Sequence, residues 1–291
     1  MHSVQTSSSK QAIARNFNRA ATTYDSAAII QQEIGKRLLE RLEFIKIDPT
    51  VILDLGSGTG FISSALEKKY PKAHLVNLDL AEGMVNFSKK NHHSFNQSYI
   101  CGDGEFLPLN NHSIDFVFSN CALHWFFNPQ KVLEEICRIL KPEGLLLFSS
   151  FGPDTLKELG ESFATLDQDT HINTFIDMHD LGDMLLQTKL SDPVMDMECL
   201  RLTYKNITGL IQDLKLTGAG YVYKKQKTGL SPKNTLDKLK TAYEYYRDPT
   251  SLLPATFEVI YGHAWATVET MLHTADEEGV IRIPLTHVQH L

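Results

Sequence analysis

VILDLGSGTGF, residues 51–61, decides the fold. A run of Val, Ile and Leu carrying one acid, Asp54, leads straight into Gly56, Gly58 and Gly60, three glycines at every second position. The run reads as a strand, and glycines directly after a strand mark a turn that needs positive φ or a close approach to the backbone. A dinucleotide-binding turn would be spaced G-x-G-x-x-G. Phe61 stands where its third glycine belongs, so the pattern is G-x-G-x-G after an acid, and a nicotinamide dehydrogenase is disfavoured.

Downstream of this turn, strand and helix patterns alternate. FISSALEKKY reads as a helix ended by Pro71, HLVNLDL as a strand and AEGMVNFSKKNH as a helix. QSYICGD and IDFVFSN read as strands, PQKVLEEICRILK as a helix and EGLLLFSSF as a fifth strand. Two longer strands, PVMDMECLRLTY and PATFEVIYGHAWAT, follow a helical stretch at about 154–190. The reading is an α/β fold with a doubly wound, mostly parallel seven-stranded sheet, which binds ligands outside the carboxyl ends of its strands. Upstream, Ile13, Phe17, Ala20 and Tyr24 fall on one helical face, and Ile30, Ile34, Leu38 and Leu42 on a second, with Asp25 as a candidate N-cap between them. The expected organisation is a helical lid at 1–44 behind a flexible lead-in, a ligand-binding core at 45–152, and completion of the sheet at 153–267. A capping insertion is expected at about 205–250, and the tail at 268–291 has no assigned purpose.

The chain has 291 residues, 42% hydrophobic and 22% charged, with a net charge of −7. No apolar run approaches the roughly 20 residues that span a bilayer, and the polar N-terminus lacks the apolar core of a secretory signal. The four cysteines, Cys101, Cys121, Cys137 and Cys199, have no C-x-x-C spacing, so neither a zinc site nor a disulfide framework is expected. The cytoplasm is the expected compartment, and mild acidity argues against a nucleic-acid binder. Oligomeric state cannot be read from the sequence.

LDLGSGTG resembles the first motif of class I S-adenosylmethionine methyltransferases. Longer segments narrow the resemblance: NFNRAATTYDSAAIIQQEIGKRLLERL, DGEFLPL, SIDFVFSNCALHW, FSSFGPDTLKEL, FIDMHDLGDML, DPVMDME and FEVIYGHAW. Together they resemble the malonyl-acyl-carrier-protein O-methyltransferases of biotin synthesis, the BioC type, over roughly residues 15–265. The first motif is generic to methyltransferases, whereas FGPDTLKEL with FIDMHD is far more specific. Ser57 departs from the Cys that many relatives carry, and a small residue still fits.

The resemblance implies S-adenosylmethionine as cofactor, no metal, and malonyl-acyl carrier protein or malonyl-coenzyme A as acceptor. Asp79 at the end of the second strand would accept from both ribose hydroxyls, Met84 would cover the adenine face, and Asp103 would accept from the adenine amino group. Asp54, Gly56, Ser57, Gly58, Gly60, Leu80, Gly104, Glu105, Asn120 and Leu123 complete the expected cofactor set, with Tyr24 reaching over it from the lid. His124 and Trp125 are candidates for the acceptor pocket, and His171 and His179 are lesser ones. Arg201 shares a strand face with Met195, Met197, Cys199 and Thr203. A guanidinium on such a face needs an acid, either internal or the substrate carboxylate, and Arg15 and Arg19 are rivals for that anion. From Leu214 to Leu236 the chain carries Lys215, Lys224, Lys225, Lys227 and Lys233 and no acid until Asp237. Lys224, Lys225 and Lys227 are candidates for docking an acidic carrier, with Lys215 deeper.

A carboxylate acceptor is already ionised near neutral pH and needs no general base. The sequence offers no convincing Ser-His-Asp or Cys-His arrangement, while ALHWFF at 122–127 supplies aromatic walls. Two alternatives stay open: a methyltransferase acting on another small acid or a quinone-like ring, and a catalytically inactive cofactor-binding interaction protein.

Overall fold

The computed structural model describes residues 2–92, 94–167, 171–220 and 234–267, with side chains from residue 9 onward. Among them, β1 (Val51–Leu55), β2 (His74–Asp79), β3 (Gln97–Cys101), β4 (Ile114–Ser119), β5 (Leu140–Phe151), β6 (Leu190–Tyr204) and β7 (Leu253–Ala266) form one sheet in the order β3-β2-β1-β4-β5-β7-β6. The first five strands run parallel, with Leu53 opposite Val76 on one side and Val117 on the other. β7 enters antiparallel between β5 and β6. The order reverses beside β1: β2 lies on one side of it and β4 on the other. That is the switch point, where the carboxyl ends of strands open a crevice.

The central strands are buried on both faces, which is why they read as near-continuous apolar runs. Phe116, Phe118, Leu145 and Leu147 pack into one core layer, and Ile114, Val117, Leu146 and Phe148 into the other. The first layer takes Ile30, Ile34 and Leu38 of α3 (Ile29–Arg41) and Leu42 at its C-cap. This helix is therefore largely part of the core, and among the described N-terminal residues α1 (His2–Ala20) and the single turn α2 (Tyr24–Ala27) close the main cleft. Arg37 pairs with Glu198 at 2.6 Å and Arg41 with Asp196 at 2.5 Å, which ties α3 to the edge strand β6.

Three local expectations are corrected. The flexible lead-in is helix from His2. Asp25 does not cap a helix but lies within α2, where its Oδ1 accepts the Thr59 hydroxyl at 2.5 Å. The helical stretch after 152 is two helices, α7 (Lys157–Ala164) and α8 (Met178–Gln187). Between them the described residues of HINTFID are irregular: β-branched Ile172, Thr174 and Ile176 disfavour helix, and the Asp177 carboxylate accepts the His179 N–H to start α8. The insertion between β6 and β7 contributes α9 (Ile207–Leu216) and α10 (Thr235–Tyr243), and the tail after 267 lies outside the described residues. Among the described residues no helix is long and apolar enough to cross a membrane.

Candidate active site

The turn after β1 is fastened to the end of β2. The Leu78 carbonyl accepts the Gly56 and Ser57 N–H groups at 2.8 and 3.1 Å. Asp79 Oδ2 accepts the Gly58 N–H at 2.9 Å and Oδ1 the Ala81 N–H at 2.8 Å. All three glycines have positive φ, at 75°, 54° and 84°, but they make room for different things. A Cβ on Gly56 would fall 2.4 Å from the Ala122 methyl group, and one on Gly60 2.2 Å from Ser88 Oγ. A Cβ on Gly58 would meet nothing within 4 Å. Gly56 and Gly60 thus accommodate the protein itself, and Gly58 alone leaves its backbone open to a ligand; Gly60 stands at the N-cap of α4 (Phe61–Lys69), away from the cleft.

A cleft of about 680 Å³ lies over this turn, lined by Gly56, Gly58, Asp79, Leu80, Met84, Gly102, Gly104 and Asn120 from the sheet side. Ile13, Phe17 and Tyr24 close it from the N-terminal helices. It continues past Tyr24, Gly56, Gly58 and Asn120 into a second space of about 410 Å³ lined by Asp54, Ser57, Thr59 and Gln31. Burial raises the Asp54 carboxyl to about 7, although Ser63 Oγ donates to it at 2.5 Å. Burial likewise raises Asp79, against its two backbone N–H bonds. Tyr24 is held protonated by burial, then by the nearby Cys121, Asp79 and Asp25. The Ser57 hydroxyl and the side-chain amide oxygen of Gln31 are buried without a hydrogen-bond partner among the described residues. An open backbone at Gly58, an acid at the end of β2 beside it and orphaned polar atoms at the far end fit a nucleoside carrying an amino-acid tail.

Beyond Trp125 is a third cavity of about 610 Å³. His124, Trp125, Phe151, Phe175 and Phe257 line it, with Thr155, Leu156 and Leu159 from the FGPDTLKEL segment, His171, and Leu214 and Ala219 from the insertion. His124 lies 4.6 Å from Phe151 and 5.5 Å from Phe175 between ring centroids, and burial pushes its pKa down to about 3, so the ring is neutral. Phe17 of α1 meets the Trp125 ring edge-on at 5.1 Å. The family-like segments also build the frame: Asp154 N–H donates to the Glu258 carboxylate at 2.6 Å, and Thr256 N–H to Glu158 at 3.1 Å.

Several expected residues lie elsewhere. Asp103 and Glu105 do not line the cleft, whose wall there is Gly102 and Gly104. The Lys10 ammonium of α1 sits 2.6 Å from Asp103 and 2.7 Å from Glu105. Asp103 also accepts the Glu105 N–H at 3.0 Å, and Glu105 accepts the Phe127 and Asn128 N–H groups at 2.9 and 3.1 Å. Both acids hold protein. Leu123 is a core residue beside a neighbouring cavity. Arg201 is exposed on β6 and interacts with Asp248; the edge strand turns Leu200, Leu202 and Tyr204 inward, so Cys199, Arg201 and Thr203 face solvent. Arg15, Arg19, Lys215 and His179 are exposed, and Lys224, Lys225 and Lys227 lie outside the described residues. Gln31, Thr59, Lys10 and the Phe151–Phe175 pair were not singled out in the sequence. The stripe holding Gln31 was read only for its apolar members.

Residues 53–148 match the family described as methyltransferase domain. A malonyl-(acyl-carrier protein) O-methyltransferase of Gallionella capsiferriformans is 45% identical over 263 residues, covering 88% of this chain and 90% of its own. Malonyl-(acyl-carrier protein) O-methyltransferase 1 of Coxiella burnetii is 41% identical over 271 residues, covering 93% of each. Among solved structures, the methyltransferase in complex with the Trm112 activator of Haloferax volcanii superposes with a TM-score of 0.59 at 17% identity, over 88% of this chain and 98% of its own. A phosphoethanolamine N-methyltransferase of Haemonchus contortus, solved with S-adenosylhomocysteine, gives 0.52 at 15% identity, over 80% and 53%. The distant structures share the fold, and the close relatives decide the family: the chain is a member of the malonyl-(acyl-carrier protein) O-methyltransferases, within the class I S-adenosylmethionine-dependent methyltransferases.

Proposed function

We propose that the protein methylates the free carboxylate of malonyl-acyl carrier protein, giving the methyl ester that enters biotin synthesis. The observation that carries this reading is the aromatic cavity: it adjoins the cofactor cleft across Trp125, and its described lining holds no lysine, arginine, aspartate or glutamate. When bound, S-adenosylmethionine supplies a methyl group on a sulfonium cation. A carboxylate oxygen takes that methyl without losing a proton, so neither His124 nor His171 of the cavity wall has to act as a base. Neutral His124 and protonated Tyr24 suit such a site. An apolar, water-poor cavity favours a step in which a cation and an anion neutralise one another. Orientation of the two reactants is then the main contribution, with an upper limit on the order of 7–11 kcal/mol.

In this reading Asp79 accepts the ribose hydroxyls, Met84 and Leu80 pack on the adenine, and Ser57, Asp54 and Asn120 surround the amino-acid tail. Tyr24 and Trp125 separate the two substrates. The acidic carrier docks by charge. Exposed Arg15 and Arg19 lie on α1, and Lys215 on the last turn of α9. The two helices abut where a Cβ on Gly218 would be 3.1 Å from Phe17. Complementary charge of this kind mainly raises the encounter rate and is screened by salt.

The test is incubation with radiolabelled S-adenosylmethionine and carrier protein loaded with malonyl, succinyl or acetyl groups. Malonyl carrier is expected to take up label that alkali releases as methanol. Label on acetyl carrier, or a base-stable product, overturns the reading.

A further inference from the structure

Gln31 is the polar side chain that belongs to both substrate spaces. It lines the tail end of the cofactor cleft, with Asp54 and Ser57, and it lines the aromatic cavity, with His124 and Trp125. Its backbone is fixed. The Gln31 carbonyl accepts the Asn120 amide N–H at 2.9 Å, and Asn120 in turn accepts the Ser149 hydroxyl at 2.8 Å. Neighbouring Gln32 donates to the Asp25 carbonyl at 2.8 Å, and Ile30 and Ile34 are buried in the core. Between these anchors the Gln31 side-chain oxygen is buried and has no hydrogen-bond partner among the described residues. A buried acceptor left unmade is costly, so the side chain is built for a partner that arrives with a ligand.

The chemistry of the two spaces says which partner. A primary amide is an acceptor at its oxygen and a double donor at its nitrogen. The amino-acid tail on one side brings an ammonium group, which only donates. The malonyl group on the other side brings a carboxylate, which only accepts. We infer that Gln31 bridges the two substrates, accepting from the cofactor ammonium and donating to the acceptor carboxylate, and so sets the acceptor in place only when the cofactor is bound. A neutral donor suits the carboxylate better than an arginine here, because a full counter-charge would hold the oxygen's electrons back from the methyl carbon. The acceptor half of this inference rests on the carboxylate reading above; the cofactor half does not.

Two variants separate the halves. In Gln31→Leu, calorimetric titration is expected to show S-adenosylhomocysteine binding weakened at least fivefold, while 5′-methylthioadenosine, which lacks the amino-acid tail, binds as before. In Gln31→Glu the side chain still accepts but no longer donates, and its charge opposes the substrate. S-adenosylhomocysteine is expected to bind within twofold of wild type or more tightly, while KM for malonyl carrier rises at least tenfold. Unchanged S-adenosylhomocysteine affinity in Gln31→Leu, or equal loss for both nucleosides, overturns the bridge, as does an unchanged KM in Gln31→Glu. If wild-type protein fails to methylate malonyl carrier, the functional reading fails, and the two nucleoside titrations still decide whether Gln31 holds the tail.

Discussion

The Lys10 ammonium lies 2.6 Å from the Asp103 carboxylate, so the first helix is clamped to the loop that ends the third strand. The contact is largely enclosed, with 16% of the Lys10 side chain and 26% of that of Asp103 exposed, and Glu105 is within 2.7 Å of the same ammonium. Because α1 carries Ile13 and Phe17 into the cleft, this pair governs how firmly the cover stays shut. Lys10→Met leaves two carboxylates sharing a loop without their cation. A loss of about 1–2 kcal/mol in stability is expected, discounted from the buried-pair range for partial exposure. Cofactor dissociation should also accelerate severalfold. Thermal denaturation and stopped-flow release of S-adenosylhomocysteine test both. Unchanged values in both measurements would show that the clamp has no hold on the cover.

The glycine turn predicts two different failures from the same substitution. Gly58→Ala meets no atom within 4 Å, so its cost to folding is the positive φ of 54° alone, about 1–2 kcal/mol. Its methyl group, however, stands in the space a ligand must occupy. A folded protein with at least tenfold weaker S-adenosylhomocysteine binding is expected. Gly56→Ala drives a Cβ to 2.4 Å from the Ala122 methyl group and should chiefly lower thermal stability. Calorimetry beside a melting curve for each variant distinguishes them, and the assignment fails if Gly58→Ala binds normally.

The glycines, Asp79 and the alternation of strands and helices could be read from the sequence because they are local: the turn and its strand lie within eleven residues of one another. The same local signals could not say what each glycine faces, since Ala122 and Ser88 reach Gly56 and Gly60 from other elements. From the sequence Asp103 and Glu105 read as ligand groups because they end a strand in a family-like segment. The cation they meet in the structure, Lys10, is 93 residues from Asp103 and sits in a stretch whose polarity reads as a loose lead-in. Arg201 faces solvent for a topological reason. Alternation says which residues share a face, but only the edge position of β6 says that this face meets solvent. Gln31 carries no local signal of its own, because the pattern around it is set by the apolar stripe of Ile30 and Ile34.

Asp79 accepts two backbone N–H groups with one bond to each oxygen, which leaves a lone pair on each for a ribose hydroxyl. Asp79→Asn keeps the shape but replaces one acceptor with an N–H donor that faces a backbone donor. Charge-assisted hydrogen bonds contribute roughly 1.5–3 kcal/mol each. Affinity for S-adenosylhomocysteine and for 5′-methylthioadenosine should therefore fall together, by at least tenfold, since both carry the ribose. Equal loss for both nucleosides, measured by calorimetry, is the mark of a ribose contact. Loss confined to S-adenosylhomocysteine would move Asp79 to the tail end of the cleft.

The last prediction concerns pH. Burial raises the Asp54 carboxyl from 3.8 to about 7, and Asp54 lines the tail end of the cleft. The folded, empty protein therefore holds a proton there that the unfolded chain gives up near 3.8. Between those two values the folded state binds more protons than the unfolded one, so this group's contribution to stability falls as pH rises from about 4 to about 7 and is flat above. Ligand binding has the opposite slope. The ammonium of the amino-acid tail favours the ionised carboxylate, so binding below about 7 must expel the proton. S-adenosylhomocysteine affinity should rise with pH, by up to tenfold per unit below about 7, and level off above it. Asp54→Asn retains an acceptor for Ser63 and removes the titration, so most of this slope should vanish. Any slope that survives reports Asp79, which burial raises in the same direction. Calorimetric titrations of wild type and Asp54→Asn from pH 5.5 to 7.5 decide the matter. A wild-type affinity that does not change with pH, or a variant with the full wild-type slope, would mean that Asp54 is not the group that meets the ammonium.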